Sequence, residues 1–156
     1  FRPVETRGAP SHLSYFKLID ANAALAEYDL DRALELAMQA LEAPMQGINL
    51  HMFYVDEEPM AARIATYAAI EAMLVHALRG EAQGMQDLLT RVETRYDRPD
   101  NPFLPAARSL WQTFDATGDP LAACQAMERS LRLRDDALLV RYASERLETG
   151  RFCPLD

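Results

Sequence analysis

Apolar residues return every third or fourth position through most of this chain. The breaks between those runs are marked by glycine, proline and aspartate. Leu13, Phe16, Ile19, Ala23 and Ala26 keep that spacing and predict a first helix with Ser11 as its N-cap. Glu27-Tyr28-Asp29 interrupts the run. Asp29 or Asp31 then caps a second helix, whose inner face is Leu30, Ala33, Leu34, Ala37 and Leu41. Pro44 and Gly47 end it. From about Met60 to Arg79 the chain is apolar nearly all round, as expected of a helix buried at the centre of a bundle. Pro59 suits its first turn, and Gly80 stops it. Met85, Leu88, Leu89, Val92 and Tyr96 give a fourth helical face, and Leu104, Ala107, Leu110, Trp111 and Phe114 a fifth. Gly118-Asp119-Pro120 reads as a stop and restart: glycine past one helix end, aspartate as N-cap, proline as first helical residue. Ala123, Ala126, Met127, Ser130 and Leu131 continue inward. Asp135 and Asp136 open a last helix with Leu138, Leu139, Tyr142, Ala143 and Leu147, and Gly150 ends it. Residues 1–10 read as a lead-in or linker, 11–149 as the helical domain, and 150–156 as a tail that trails off.

Composition agrees with an all-α chain. Ala and Leu supply 46 residues while Val and Ile supply nine, and unbranched side chains lose little rotamer freedom in a helix. The net charge of −8 disfavours direct nucleic-acid binding and anionic membrane surfaces. No apolar run reaches the roughly 18 residues that span a bilayer, so membrane insertion is not expected. Fifteen of the sixteen basic residues are Arg, which with the abundant Ala suggests a GC-rich bacterial genome. The expected compartment is the cytoplasm. The chain begins at Phe1, so a removed N-terminal signal or an upstream domain stays open. Cys124 reads as a small buried hydrophobe and Cys153 as a thiol on the tail. A bond between them would need an oxidising compartment, and two cysteines alone define no disulfide framework.

The helices come in pairs, and the pairs repeat. Gly118 is followed by small residues five and twelve positions on, Ala123 and Ser130. Tyr28 is followed at the same offsets by Ala33 and Ala40, and Gly80 by the larger Met85 and Val92. This resembles the tetratricopeptide repeat over roughly residues 11–134, with 135–149 as a capping helix. The match is best in the third pair and poorest in the second, and Trp111 stands where the family favours a small residue. The resemblance implies antiparallel hairpins stacked as a short right-handed solenoid. It also implies a protein-binding scaffold whose concave face, lined by the first helix of each pair, takes a peptide or a partner helix. The interval from Tyr28 to Gly80 is 52 residues against a family period of 34, an excess of about eighteen. The excess lies mainly in the connector GINLHMFYVDEEP (47–59).

Two polar stripes and that connector are the candidate sites. Arg63, Tyr67 and Glu71 share one helix face, and Arg108, Gln112 and Asp115 share another. Together they would make a mixed-charge floor for a peptide; the bland alternative is a solvated face with weak ion pairs. Leu50, Phe53 and Tyr54, with His51, make the connector a docking patch or a filler between hairpins, since aromatics and Met are enriched at interface cores. Met45, His51, Met52 and Met60 are donors that suit Cu(I), but Met is more often filler, and no metal is expected. His12 and His51 are scattered, and His76 reads as a satisfied core histidine. The chain shows no phosphate-binding glycine loop, nucleophile elbow or zinc-protease pair. The expectation is therefore a non-enzymatic scaffold without a cofactor, whose partner is another protein or peptide. Homo-oligomerisation stays open. The alternatives are an effector-sensing helical domain of a bacterial regulator and an accessory subunit of a larger complex.

Overall fold

The computed structural model of the protein describes residues 10–45, 57–134 and 138–156. Among these residues there are seven helices: α1 (Pro10–Ala26), α2 (Leu30–Met45), α3 (Glu57–Leu78), α4 (Ala82–Tyr96), α5 (Phe103–Thr117), α6 (Pro120–Arg132) and α7 (Leu138–Arg146). No strand occurs among the described residues. The connector residues Leu50, Phe53 and Tyr54, and the predicted caps Asp135 and Asp136, lie outside the described residues.

Three short turns join α1 to α2, α3 to α4 and α5 to α6. Each passes through one left-handed residue at the repeat position: Tyr28 (φ 58°), Gly80 (φ 72°) and Gly118 (φ 65°). Gly80 and Gly118 adopt that region without a Cβ clash, whereas Tyr28 does so at a cost of roughly 1–2 kcal/mol. Five residues past each turn, Ala33, Met85 and Ala123 are wholly buried. Twelve past, Ala40 and Val92 are buried and Ser130 is half-buried. The third turn matches its sequence signature closely. The Gly118 N–H bonds the Phe114 carbonyl at 2.7 Å, and Asp119 Oδ1 accepts from the Leu121 N–H at 3.0 Å ahead of Pro120. Asp119→Ala should therefore lower stability by about 1 kcal/mol, a fall in Tm of roughly 2–4 °C in a thermal melt.

Helix α3 is the axis of the fold. It touches α1, α2, α4, α5 and α6, and every residue from Ile64 to Val75 is buried. Among the described residues it is the one helix long and apolar enough to cross a membrane, and its apolar surface is spent on its neighbours. Gly84 lets α4 approach it closely, since a Cβ there would stand 2.6 Å from the His76 ring. His76 itself is a boundary residue rather than a core one: its Nδ1 lies 2.8 Å from Glu81 Oε1, and it keeps some exposure.

Two expectations about burial are corrected. The inner face of α1 is Tyr15, Leu18, Asn22 and Leu25, with Ala21 and Ala24, while Phe16 is 50% exposed. Apolar side chains ring this helix on two interleaved stripes, so periodicity alone selects neither. Packing selects the stripe that holds Asn22. The second correction concerns the C-terminal segment, which does not trail off: Phe152, Cys153 and Leu155 are at most 2% exposed.

Candidate functional site

The side chains that carry chemistry gather where the C-terminal segment lies across the helices. Asn22 comes from α1, Tyr67 and Glu71 from adjacent turns of α3, Phe103 from the first turn of α5, and Cys124, Glu128 and Arg132 from α6. The segment is held mainly through its backbone. The Asn22 amide donates to the carbonyls of Arg151 and Phe152 at 3.3 and 3.4 Å. Glu128 Oε2 accepts the Cys153 N–H at 3.1 Å, and Arg132 donates to the Gly150 carbonyl at 3.2 Å. Thr149 donates to the free side of the same amide, Asn22 Oδ1, at 3.2 Å. All but the Thr149 bond read main-chain groups of the segment, so they hold its backbone with little regard to its side chains.

Side-chain recognition comes from one ring and one bond. Tyr67 and Phe103 stack with centroids 5.0 Å apart and planes 7° from parallel. Phe152 meets both edge-on, at 5.7 and 6.2 Å, the arrangement that ring quadrupoles favour. Cys124 and Cys153 form a disulfide with their Cα atoms 5.4 Å apart. The expectation of a separate core residue and tail thiol is thus overturned: α6 and the segment bring together two thiols that sequence spacing does not relate.

Glu71 is the unusual member. It is wholly buried, and neither carboxyl oxygen accepts a hydrogen bond among the described residues. Burial raises its pKa well above the usual carboxylate range; the Asn22 amide beside it offsets part of that rise. The neutral acid is therefore the favoured form. The Tyr67 hydroxyl, one turn earlier, is also buried without a hydrogen-bond partner among those residues. Burial, then the neighbouring Glu71 and Tyr15, push its pKa well above the ordinary phenol value.

The two predicted polar stripes do not form one open floor. Tyr67 and Glu71 face inward, against Asn22 and Phe152. Arg63 and Arg108 turn instead to the stretch that leads from α4 into α5. Arg63 Nε donates to the Asp100 carbonyl at 3.0 Å, and Arg108 pairs with Glu93 at 2.7 Å and Asp97 at 3.5 Å. The bonded Glu93 carboxylate holds the Arg108 guanidinium above its ordinary pKa. Gln112 and Asp115 are exposed. The reason is helix phase: a residue every fourth position drifts around the axis, so Arg63 reaches a rim while Glu71 reaches the centre.

Sequence reasoning missed Asn22, Glu128 and Asn101. Asn101 is 2% exposed and ties the α4–α5 connection to α3. Its amide donates to Thr66 Oγ1 at 2.9 Å and to the Tyr96 carbonyl at 3.1 Å, and its Oδ1 accepts the Phe103 N–H at 3.2 Å. Asn101→Ala strips three buried bonds and should cost about 2 kcal/mol by denaturant titration. Because Phe103 starts at that cap, the same change should loosen the ring seat of Phe152. A signal for Asn22 was present: it is the one amide in α1, and its spacing puts it on one face with Leu18 and Leu25.

No known protein family, curated protein or solved structure matches this chain.

Proposed function

We propose that this protein is a helical-hairpin interaction module that binds an extended segment of a partner protein, and that it acts as a scaffold rather than an enzyme. The observation that carries the reading is the seat of residues 149–155. A non-helical segment already lies across α1, α3, α5 and α6, gripped by side chain to backbone hydrogen bonds and by ring contacts. The recurring left-handed turns at Tyr28, Gly80 and Gly118 support a tetratricopeptide-like stack of three hairpins with α7 as cap. In such a stack the first helices, which supply Asn22, Tyr67 and Phe103, would line the binding face. The disulfide favours an oxidising compartment over the cytoplasm, because thiols in the cytosol are kept reduced.

The test compares two full-length baits, the wild-type chain and Cys124→Ala/Cys153→Ala/Phe152→Ala, in extracts of the native host. Partners that bind the second bait more strongly, and that a peptide copying residues 149–156 displaces, bear out the reading. Partners that bind both baits equally and ignore the peptide overturn it.

A further inference from the structure

Asn22 is asked for more hydrogen bonds than its amide can give. Its Nδ2 carries two hydrogens and has three acceptors about it: the carbonyls of Arg151 and Phe152, at 3.3 and 3.4 Å, and the Glu71 carboxyl beside it. Both carbonyl bonds are long. Its Oδ1 accepts from the Thr149 hydroxyl at 3.2 Å, which orients the amide. Glu71 is the one acid or base that is fully buried among the described residues. The elements packed around it supply no countercharge. On α3 itself, Arg63 is drawn to the Asp100 carbonyl and His76 to Glu81. The buried faces of α2 and α5 hold no ionisable side chain. The buried face of α4 adds the phenol of Tyr96, and α1 and α3 add those of Tyr15 and Tyr67. On α6, Glu128 takes the Cys153 N–H and Arg132 the Gly150 carbonyl; on the segment, Arg151 pairs with Asp156.

We infer that Asn22 and Glu71 form a pH-sensitive latch on the C-terminal segment: neutral Glu71 leaves the Asn22 amide to the Arg151 and Phe152 carbonyls, whereas ionised Glu71 takes the amide and lets residues 149–152 open. The switch is one proton, which passes from the Glu71 carboxyl to solvent; no other covalent bond changes. A carboxylate accepts a hydrogen bond roughly twice as strongly as a neutral group, so the shared amide goes to it. The two carbonyls then lose their donor, and Thr149 loses its acceptor as the amide moves. Opening at this place is also the least costly way for water to reach the charge. Helix α3 is enclosed by other helices, whereas residues 149–152 are non-helical and are held by these bonds, by Arg132 and by the Phe152 ring. A stretch held by few contacts opens at a lower free energy than the whole fold. The disulfide and the Glu128 bond both act one residue further on, at Cys153, so they anchor the segment while the half on Asn22 opens. The device needs no partner, and it stands whether or not the seat binds one.

The test is an NMR titration of the oxidised full-length protein from about pH 5 to pH 9, with carbon-13 in the glutamate carboxyls and the phenylalanine rings. The Glu71 carboxyl shift reports the proton. The Phe152 ring shifts report the seat, because the Tyr67 and Phe103 rings displace them. Phe114, in the last turn of α5, is the reference. As Glu71 ionises, Phe152 should lose at least half of its ring-current displacement with the same midpoint, and Phe114 should not move. In Glu71→Gln, Phe152 should hold its low-pH position throughout. If that variant does not fold, Asn22→Ser takes its place: without the shared amide, the Phe152 shifts should no longer follow the Glu71 titration. A Glu71 that ionises while Phe152 stays seated overturns the latch, and so does a carboxyl that keeps one state across the whole range. Movement of Phe114 together with Phe152 overturns it as well, since the fold as a whole would then be opening.

Discussion

Replacing Cys124 and Cys153 together by alanine is expected to cost about 3.6 kcal/mol of stability. The bond closes a loop with a sequence separation of 29. Removing it returns to the unfolded chain the closure entropy of a ring of about 30 residues, which the chain-entropy relation sets at roughly 12 cal/mol/K. For a domain of this size the same loss lowers Tm by roughly 7–14 °C. Alanine is the right replacement because both sulfurs are buried, at 0% and 2% exposure, and a serine hydroxyl there would add a desolvation cost of its own. Thermal melts of wild type and variant, each with and without a dithiol reductant, measure the term. Reductant should lower the wild-type Tm toward that of the variant and leave the variant unmoved. Hydrogen exchange adds a local readout: the Cys153 N–H, bonded to Glu128, should lose protection first. A loss under about 1 kcal/mol would mean that the segment is held by Asn22, Glu128 and Phe152 without the bond.

How much of this could be read from the chain differs by element, and the differences have physical causes. Helix α4 was fully legible: the five predicted inward residues, Met85, Leu88, Leu89, Val92 and Tyr96, are the five that are buried. One side of that helix meets α3 and α5 and the other meets water, so hydrophobic periodicity carries the whole answer. The turn at Gly118-Asp119-Pro120 was legible because each residue there answers a local backbone demand. Helix α1 was legible as a helix but not in its phase, since it has neighbours on more than one side. The seat of the C-terminal segment was not legible at all. It draws on residues some 130 positions apart, and no local rule links Asn22 to Phe152. A weaker signal was present in Phe152-Cys153-Pro154-Leu155, an apolar run where a solvated segment would be polar. Glu71 is the instructive miss. Reading it as part of a helical stripe with Arg63 placed it at a surface. Yet it sits mid-way along a helix that is apolar nearly all round, and a helix buried on every face must bury its acid too.

That acid makes stability depend on pH in a direction opposite to most carboxylates, and Glu71→Gln should expose the effect. In the unfolded chain the carboxyl ionises near its ordinary value of about 4.3. In the fold, burial holds its pKa well above that. Below about pH 4 both states are protonated, and the residue contributes no pH dependence. Between the two pKa values the unfolded chain has released the proton and the folded chain has kept it. The unfolded state then binds fewer protons, so stability falls as pH rises, by about 1.4 kcal/mol for each pH unit. The fall ends where the folded carboxyl itself ionises. Glutamine keeps the shape and cannot titrate. Wild type and Glu71→Gln should therefore melt at similar temperatures near pH 4, and the variant should gain over wild type as pH rises from there. The difference between the two curves removes the exposed carboxylates, which titrate alike in both. Tyr67, whose pKa burial raises further, remains neutral across this window and adds no slope. A difference that stays flat from pH 4 to 8 would mean that Glu71 is ionised and paired in the fold.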